Sequence, residues 1–300
     1  MNLRSSLTAV VAGLVLTLMA TTTASAIPSP ARADAVGVEA APARADSNKR
    51  PVFLIKGYTP GDKCGSKWNA AVRLLKSEGW KTKRLHRVGF YATDDSKCDV
   101  RIDNGTATAE TSLKVLGREL AKKIYDMYSS KGIPVDIVGH SMGGLIARAA
   151  IAGYQKGEPG WPKKLLVEDV VTLGTPHRGV HRPACFTLQC IEMNPFSGFR
   201  NWLGADLPQA DGGTDWTLVS SRADWSVPPA FAMPTDIGAQ HLVLYSEIGS
   251  SLGHSELRTQ ATGVFPLNYT NNGGASWGYL ERGSAPLRVT KNALYWSSRW

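Results

Sequence analysis

The feature that most restricts the fold of this chain is an alternation of short, continuous apolar runs with amphipathic stretches. The run PVFLIKGY at 51–58 ends at a glycine and a turn, and PVDIVGH at 134–140 is of the same kind. Residues 66–79 and 106–132 instead carry apolar side chains at spacings of three and four, as amphipathic helices do. Strands that are apolar throughout are buried on both faces. The pattern therefore predicts an α/β fold with a mostly parallel central sheet and helices on both faces.

Sites in such folds lie beyond the carboxyl ends of the strands, so chemistry is expected in the loops that follow the apolar runs. The later strand-type runs are VEDVVTLGTPH at 167–177, TLVSS at 217–221 and HLVLYSE at 241–247.

The N-terminus predicts export. A basic start, MNLR, precedes an uncharged apolar run at 7–20, and ASA at 24–26 supplies the small residues that a signal peptidase requires. The run is short for a membrane span, which needs about 20 residues. We predict a signal peptide at 1–26, an Ala/Pro-rich linker or pro-segment at 27–50 and one folded domain at 51–300. The mature protein is then secreted, extracellular and without a transmembrane segment; an uncleaved anchor is the alternative.

The chain has four cysteines, an even number that indicates two disulfides in an exported protein. Three pairings are possible, and closeness in sequence favours Cys64–Cys98 and Cys185–Cys190. A metal site is the competing interpretation, but no CxxC pair and no neighbouring histidine cluster has the spacing of zinc ligands. We therefore expect no metal.

The net charge indicates which classes of molecule the protein is expected to bind. The chain carries 34 Lys and Arg against 25 Asp and Glu, a net charge of +9, which favours anionic partners such as acidic lipid headgroups. The basic residues are scattered and no nucleic-acid-binding motif occurs, so nucleic acid is not an expected partner.

Residues 139–144 read GHSMGG, which fits the G-x-S-x-G pattern of a nucleophile elbow. The motif stands between the strand-type run PVDIV and the helix-type run LIARAAIAGY. A very tight strand-to-helix turn strains the serine backbone and leaves no room for side chains at 139 and 143. It lifts the Ser141 hydroxyl clear of the sheet and sets a helix N-terminus beside developing negative charge. This setting favours a nucleophile over a plain turn serine.

With these motifs the chain resembles the small secreted bacterial lipases and esterases of the α/β-hydrolase superfamily. The resemblance is carried by LIKGY, GHSMGG, LGTPHRG, VSSRADWSVP and GHSEL, and extends over most of residues 51–262. It implies the α/β-hydrolase fold. It also implies a serine hydrolase of carboxylic esters that needs no metal or organic cofactor.

The order of catalytic residues in this fold is serine, acid, histidine. His254 in SSLGHSEL follows the strand-type run HLVLYSE and is the predicted base. Of the other histidines, His86 precedes the serine and His140 stands within the elbow. His177 lies in GTPHRG, which the family uses as a structural turn, and His181 follows in the same loop. His241 begins a strand at the wrong end. Among the carboxylates between the serine and the histidine, Asp224 lies in the strand-end loop that the family uses for its acid. The predicted triad is Ser141, Asp224 and His254.

Two backbone N–H groups are expected to form the oxyanion hole. One is that of Met142, the residue after the nucleophile. The resemblance places the other at Tyr58, one residue past Gly57. Family members commonly have His-Gly in this loop, whereas this chain has Lys56-Gly57. A main-chain donor tolerates that change.

Residues 180–216 interrupt the alternation. They contain both Cys185 and Cys190 and several aromatic residues, namely Phe186, Phe196, Phe199 and Trp202. We predict a small, disulfide-stapled cap insertion over the strand ends that binds the acyl group or forms a partial lid. A packing loop is the alternative.

The sequence thus predicts a secreted, lipase-like ester hydrolase that cleaves acylglycerols or fatty-acid esters through an acyl-enzyme, with a lipid–water interface as one place of action. A phospholipase A that acts on anionic lipid surfaces, and an amidase that uses the same triad, stay open. A non-catalytic binding protein of this fold would be expected to have a broken triad.

Overall fold

The computed structural model describes residues 47–300 except 49, 61–63, 95–97, 250 and 296–299. The predicted signal peptide at 1–26 and the linker up to residue 46 lie outside the described residues. In the part of the chain that is described, no helix has the length and apolar character needed to cross a membrane.

One mixed sheet organises the described residues. Its strands are β1 Val52–Ile55, β2 Leu85–Gly89, β3 Val100–Arg101, β4 Val135–His140, β5 Val167–Leu173, β6 Asp215–Ser221, β7 His241–Tyr245, β8 Val264–Thr270 and β9 Gly278–Ser284. Their order across the sheet is β3-β2-β1-β4-β5-β6-β7-β8-β9. Neighbours from β3 to β7 are parallel, whereas β8 and β9 are antiparallel.

Helices cover the sheet on both faces. They are α1 Cys64–Lys67, α2 Asn69–Ser77, α3 Leu113–Met127, α4 Met142–Gln155, α5 Leu188–Glu192, α6 Gly198–Leu203, α7 Pro229–Ala232 and α8 Pro286–Tyr295. This is an α/β-hydrolase-like architecture, and the predicted fold class is confirmed.

Strand β1 shows why the central strands are apolar throughout. Phe53 and Ile55 pack into the core that includes α3 and α4, whereas Val52 and Leu54 pack into the core that includes α2 and α8. All four side chains are fully buried. Each residue of the strand therefore faces an apolar layer, and side chains of alternating polarity would leave polar atoms inside.

Arg50 lies just before β1 and is fixed by buried ion pairs. Arg50 is buried and donates from Nε to Asp136 Oδ1 at 2.8 Å and from Nη2 to Asp169 Oδ2 at 2.7 Å. It also pairs with Glu168 at 3.2 Å. Arg50 thus ties the start of the domain to the amino ends of β4 and β5.

The structure differs from the expectations in three places. The segment after 262, which the sequence patterns do not assign, forms β8, β9 and α8. The interruption predicted at 180–216 ends earlier, because Asp215 and the fully buried Trp216 already belong to β6. The residues that follow His254 read as the start of a helix, whereas the structure forms a single 3-10 turn there, Glu256–Arg258.

The cysteines agree with the predicted pairing as far as they are described. Cys185 and Cys190 form a disulfide, with their Cα atoms 5.8 Å apart. Cys98 is disulfide-bonded as well. The side chain of Cys64 lies outside the described side chains, so the Cys64–Cys98 pair stays a prediction.

Candidate active site

The loops after five adjacent strands meet at the carboxyl edge of the sheet. Strands β1, β4, β5, β6 and β7 are neighbours in that order. Gly57 and Tyr58 follow β1, and Ser141 follows β4 directly. Asp224 and His254 lie in the loops after β6 and β7. Because parallel strands end at the same edge, residues far apart in sequence come together here.

Ser141 has the strained backbone expected of an elbow. Its φ is 55° and its ψ is −129°, and α4 begins at the next residue. Its N–H donates to the Leu173 carbonyl at 2.9 Å, and its own carbonyl accepts from Thr175 Oγ1 at 2.9 Å. Such a conformation persists only where the surroundings hold it, and here β5 and the loop after it do so.

The glycines of the elbow stand where other atoms leave no room. A Cβ on Gly143 would lie 2.2 Å from the Ile55 carbonyl oxygen, and one on Gly139 would lie 2.5 Å from Gly144 Cα. A Cβ on Gly144 would lie 2.0 Å from Thr175 Oγ1. Side chains at 139 and 143 would collide with backbone, as the sequence analysis expects.

His254 and Asp224 form a hydrogen-bonded pair. The distance from His254 Nδ1 to Asp224 Oδ2 is 2.7 Å. Asp224 is buried, and its Oδ1 accepts from the N–H groups of Ser226 and Val227, each at 2.9 Å. A carboxylate has no hydrogen to donate, so Nδ1 carries the proton and Nε2 is left as the acceptor.

Ser141 and His254 line the same cavity, which has a volume of about 310 Å³. Among the described residues, no hydrogen bond joins Ser141 to His254. In the absence of substrate such bonds are often long and tighten only in the complex. A larger depression, of about 620 Å³, lies beside the C-terminus of α4. We assign the site to the smaller cavity because Tyr58, Ser141 and His254 line it, whereas no predicted site residue lines the larger one.

Four of the other histidines have partners away from the site. His86 bonds to the Tyr128 hydroxyl at 2.5 Å, His177 to Thr172 Oγ1 at 2.9 Å, and His181 to Asn194 Oδ1 at 3.0 Å. His241 pairs with Asp215 at the amino ends of β6 and β7. Of the competing carboxylates, Asp236 is exposed and pairs with Arg178.

The predicted oxyanion donors flank the serine. Met142 opens α4, so its N–H belongs to the first-turn donors that have no acceptor within the helix. Gly57 lies so close that a Cβ on it would be 2.8 Å from Ser141 Cβ, and Tyr58 is the next residue. The Tyr58 hydroxyl contacts Thr187 Oγ1 at 3.3 Å, which connects this loop to the cap.

Two residues that support the pair escaped the sequence analysis. His140 Nε2 donates to the His254 carbonyl at 2.8 Å, and the two rings are 4.6 Å apart. A Cβ on Gly174 would lie 2.8 Å from Asp224 Oδ2 and 3.1 Å from His254 Nδ1. The sequence indicated only that GTPHRG is a structural turn of the family, and it gave no signal for the contact at Gly174.

Lys56 stands in the loop after β1, at the position where the resemblance leads one to expect a histidine. It is buried, pairs with Asp94 Oδ1 at 2.5 Å and lies over the Tyr91 ring at 4.6 Å. Asp94 Oδ2 in turn accepts from the N–H groups of Phe90 and Tyr91. The charge of Lys56 is thus offset by a carboxylate that the next strand loop holds in place.

The cap combines both interpretations of the sequence. Phe199 and Leu203 pack into the core, and Arg148 of α4 donates to the carbonyls of Gly204, Ala205 and Asp206. Arg182 and Met193 line the cavity. One part of the segment is a packing loop, and another part forms a wall of the site.

A family model described as a PGAP1-like alpha/beta domain matches residues 71–192, a range that includes Ser141 but neither Asp224 nor His254. No curated protein matches the chain.

Among solved structures, a gene product from Listeria innocua is 16% identical with a TM-score of 0.43, and the match covers 70% of this chain and 88% of that one. The mature lipase BlEst2 from Bacillus licheniformis is 18% identical with a TM-score of 0.37, covering 60% and 69%. Lipase B from Aspergillus fumigatus is 16% identical with a TM-score of 0.45, covering 71% and 52%. Similarities of this size carry no argument for an activity, which must be argued from the site itself.

Proposed function

We propose that this chain is a serine hydrolase of carboxylic esters, lipase-like in taking acylglycerols or fatty-acid esters, and that it acts after export. The observation that carries the proposal is one arrangement at the sheet edge. Ser141 stands on a strained elbow, and it shares a cavity with His254, which is hydrogen-bonded to the buried Asp224.

The chemistry follows from the proton positions. With Nδ1–H donated to Asp224, His254 Nε2 accepts the Ser141 proton while the serine oxygen attacks the ester carbonyl carbon. The N–H groups of Met142 and Tyr58 stabilise the negative oxygen that develops. His254 then returns the proton to the leaving alcohol. A water molecule, deprotonated by the same imidazole, releases the acid from the acyl-enzyme.

The decisive test is labelling with a fluorophosphonate probe, which reacts with activated serines. The peptide that contains Ser141 should carry the label, and Ser141→Ala should be unlabelled and inactive on p-nitrophenyl esters while keeping its circular dichroism spectrum. Labelling of a different serine, or retained turnover in the alanine variant, contradicts the proposal.

Export has a separate readout. The secreted protein should begin at Ile27 or further into the Ala/Pro segment, as read by N-terminal sequencing. Peptide mapping without reductant should recover the Cys64–Cys98 bridge. Thiols that react with alkylating agents before reduction would contradict the second part.

A further inference from the structure

A buried ion pair stands next to the loop that carries the predicted oxyanion donor Tyr58. Lys56 is 1% exposed and Asp94 is 6% exposed, and Lys56 Nζ lies 2.5 Å from Asp94 Oδ1. The triad and its proton transfers use neither residue. Removing two charges from water offsets much of their mutual attraction, so the stability of the fold does not by itself account for such a pair.

The ammonium group of Lys56 contacts the loop on the far side of Gly57 and Tyr58. Lys56 Nζ lies 3.4 Å from the Thr59 carbonyl oxygen and 3.5 Å from Thr59 Oγ1. Thr59 Oγ1 in turn donates to the Gly57 carbonyl at 3.4 Å. Each contact is long, but together they close the backbone of residues 56–59 around one ammonium group.

Asp94 is a fixed anchor for that ammonium group. Its Oδ2 accepts from the N–H groups of Phe90 at 2.7 Å and Tyr91 at 2.9 Å, and its carbonyl accepts from Arg101 Nη2 at 2.6 Å. The rings of Phe90 and Tyr91 lie 5.0 and 4.6 Å from Lys56 Nζ, within the range of a cation–π attraction. The loop after β2 thus holds the side chain of Lys56 from several directions.

The backbone beside Lys56 packs directly against the nucleophile elbow. A Cβ on Gly143 would lie 2.6 Å from the Lys56 carbonyl oxygen, and a Cβ on Gly57 would lie 2.8 Å from Ser141 Cβ. An oxyanion donor works only when it lies about 2.7–3.1 Å from the negative oxygen. A small displacement of this loop would therefore move the Tyr58 N–H out of range of an oxyanion at Ser141.

We propose that Lys56 and Asp94 are positioning residues of the oxyanion hole. Their ion pair fixes the loop after β1 so that the Tyr58 N–H meets the oxyanion, and it acts through this backbone group and not through the charge of Lys56. This inference rests on the proposed ester hydrolysis and adds two residues to its machinery.

The test compares p-nitrophenyl hexanoate with its thiono analogue, in which sulfur replaces the carbonyl oxygen. Sulfur accepts hydrogen bonds weakly, so oxyanion donors accelerate the oxygen ester much more than the thiono ester. Lys56→Met keeps an unbranched stem and removes the ammonium group. It should lower kcat/KM for the oxygen ester on the order of 10- to 100-fold and that for the thiono ester far less. A general loosening of the fold would lower both rates and leave their ratio unchanged.

Asp94→Asn separates position from charge, and it also serves if Lys56→Met fails to fold. This variant should lower the same ratio, because the ammonium group loses its anchor. The double variant should fall no further than the larger single loss, as expected for two residues that act as a unit. A direct attraction between Lys56 and the oxyanion would instead keep or raise the ratio in Asp94→Asn. That result, or additive losses in the double variant, overturns the proposal.

Lys114→Met is the matched control. Lys114 pairs with Glu158 at 2.9 Å and lies over the Trp202 ring at 4.6 Å, the same kinds of contact that Lys56 makes. None of these three residues lines the active-site cavity, so the ratio should stay at the wild-type value.

The wild type separates this inference from the proposed function. If it hydrolyses neither ester and no fluorophosphonate label reaches Ser141, the proposed function fails and this inference fails with it. If it hydrolyses the oxygen ester but Lys56→Met and Asp94→Asn keep the wild-type ratio, the positioning role alone is overturned and the ester hydrolase stands.

Discussion

The two ends of the central strands hold buried polar clusters of opposite design. At the amino ends of β4 and β5, three carboxylates surround the Arg50 guanidinium and form ion pairs with it. They are those of Asp136, Glu168 and Asp169. At the carboxyl ends, His254 shares one nitrogen with Asp224 and lines a cavity together with a serine. Burial and charge are common to both clusters. The difference is that the second cluster, unlike the first, combines a serine on a strained elbow with an open cavity.

The comparison teaches where chemistry can arise in such a sheet. The carboxylates at the amino ends bind Arg50, at the start of the domain, and contribute to the stability of the fold. Carboxylates in the loops after the strands can orient a base. Substitutions at the two ends should therefore separate into effects on the free energy of unfolding and effects on turnover.

The largest effect is expected at the carboxyl end. Asp224→Asn should lower kcat by a factor on the order of 10⁴, because an amide lets the imidazole adopt the wrong tautomer while leaving the geometry in place. The measurement is kcat on a p-nitrophenyl ester, with thermal unfolding as the check on the fold. Near-native turnover in Asp224→Asn, together with loss of turnover in Asp236→Asn or Glu247→Gln, would mean that the acid of the triad lies in another loop.

The next effect belongs to the amino end. Arg50→Met should lower the free energy of unfolding by about 3–5 kcal/mol, since it leaves buried carboxylates without their cation. The kcat of the folded protein should stay as it is. Urea unfolding and fluorophosphonate titration of active sites measure the two quantities.

A matched control is Arg87→Met, which breaks the Arg87–Asp99 pair at the surface. Surface pairs contribute roughly 0–1 kcal/mol, so this loss should be several times smaller. Equal losses in the two variants would show that burial does not increase the contribution of the amino-end cluster to the free energy of unfolding.

The extent to which the fold could be predicted depends on burial. Strands β1, β4, β5, β6 and β7 are buried on both faces and read as apolar runs, so they were recognised, whereas the two-residue strand β3 was not. Strand β8 buries only Leu267 and Thr270, and β9 exposes Glu281 and Arg282. Antiparallel strands near a sheet edge carry no continuous apolar signal, and these two were missed.

The candidate site could likewise be predicted only in part from the sequence. The elbow motif selected Ser141, and chain order together with the resemblance selected Asp224 and His254. The structure brings the three residues to one edge of the sheet. The contacts of His140 and Gly174 with the His254–Asp224 pair arise between loops of different strands. No spacing in the sequence encodes such contacts, because they depend on how the loops are placed in three dimensions.

A glycine pair sharpens the comparison at the carboxyl end. Gly174→Ala should lower kcat on the order of 10²-fold, because its Cβ would press on Asp224 Oδ2 and His254 Nδ1 and displace them from reacting geometry. The control is Gly132→Ala. Gly132 has a similarly positive φ of 71°, against 56° at Gly174, but a Cβ there meets nothing within 4 Å.

In both alanine variants the free energy of unfolding should be lower by on the order of 1–2 kcal/mol, because alanine disfavours the left-handed backbone conformation. Only Gly174→Ala should lose turnover, as measured by kcat alongside urea unfolding. An equal fall of kcat in both variants would mean that backbone strain, and not the contact with the pair, sets the rate.

The smallest expected effects are two pH dependences of opposite sign. Burial, with help from Asp169, raises the pKa of Asp136 well above its usual 3.8 and outweighs Arg50. Burial and the cations near it hold the pKa of His140 well below 6.5. Above pH 3.8 the folded protein retains the Asp136 proton longer than the unfolded chain does, so this contribution falls as the pH rises through the raised pKa. Below pH 6.5 the unfolded chain protonates its histidine first, so the contribution of His140 falls as the pH falls.

Asp136→Asn and His140→Gln remove these titrations, and Gln keeps an N–H that can donate to the His254 carbonyl. The free energy of unfolding, measured in urea from pH 4 to 8, is compared between wild type and each variant so that all other titrating groups cancel. The wild-type advantage over Asp136→Asn should shrink with rising pH, and the advantage over His140→Gln should shrink below pH 6.5. Each slope can reach about 1.4 kcal/mol per pH unit. Slopes of the same sign would show that the amino-end carboxylate is ionised with the help of Arg50, and would remove the electrostatic contrast between the two ends.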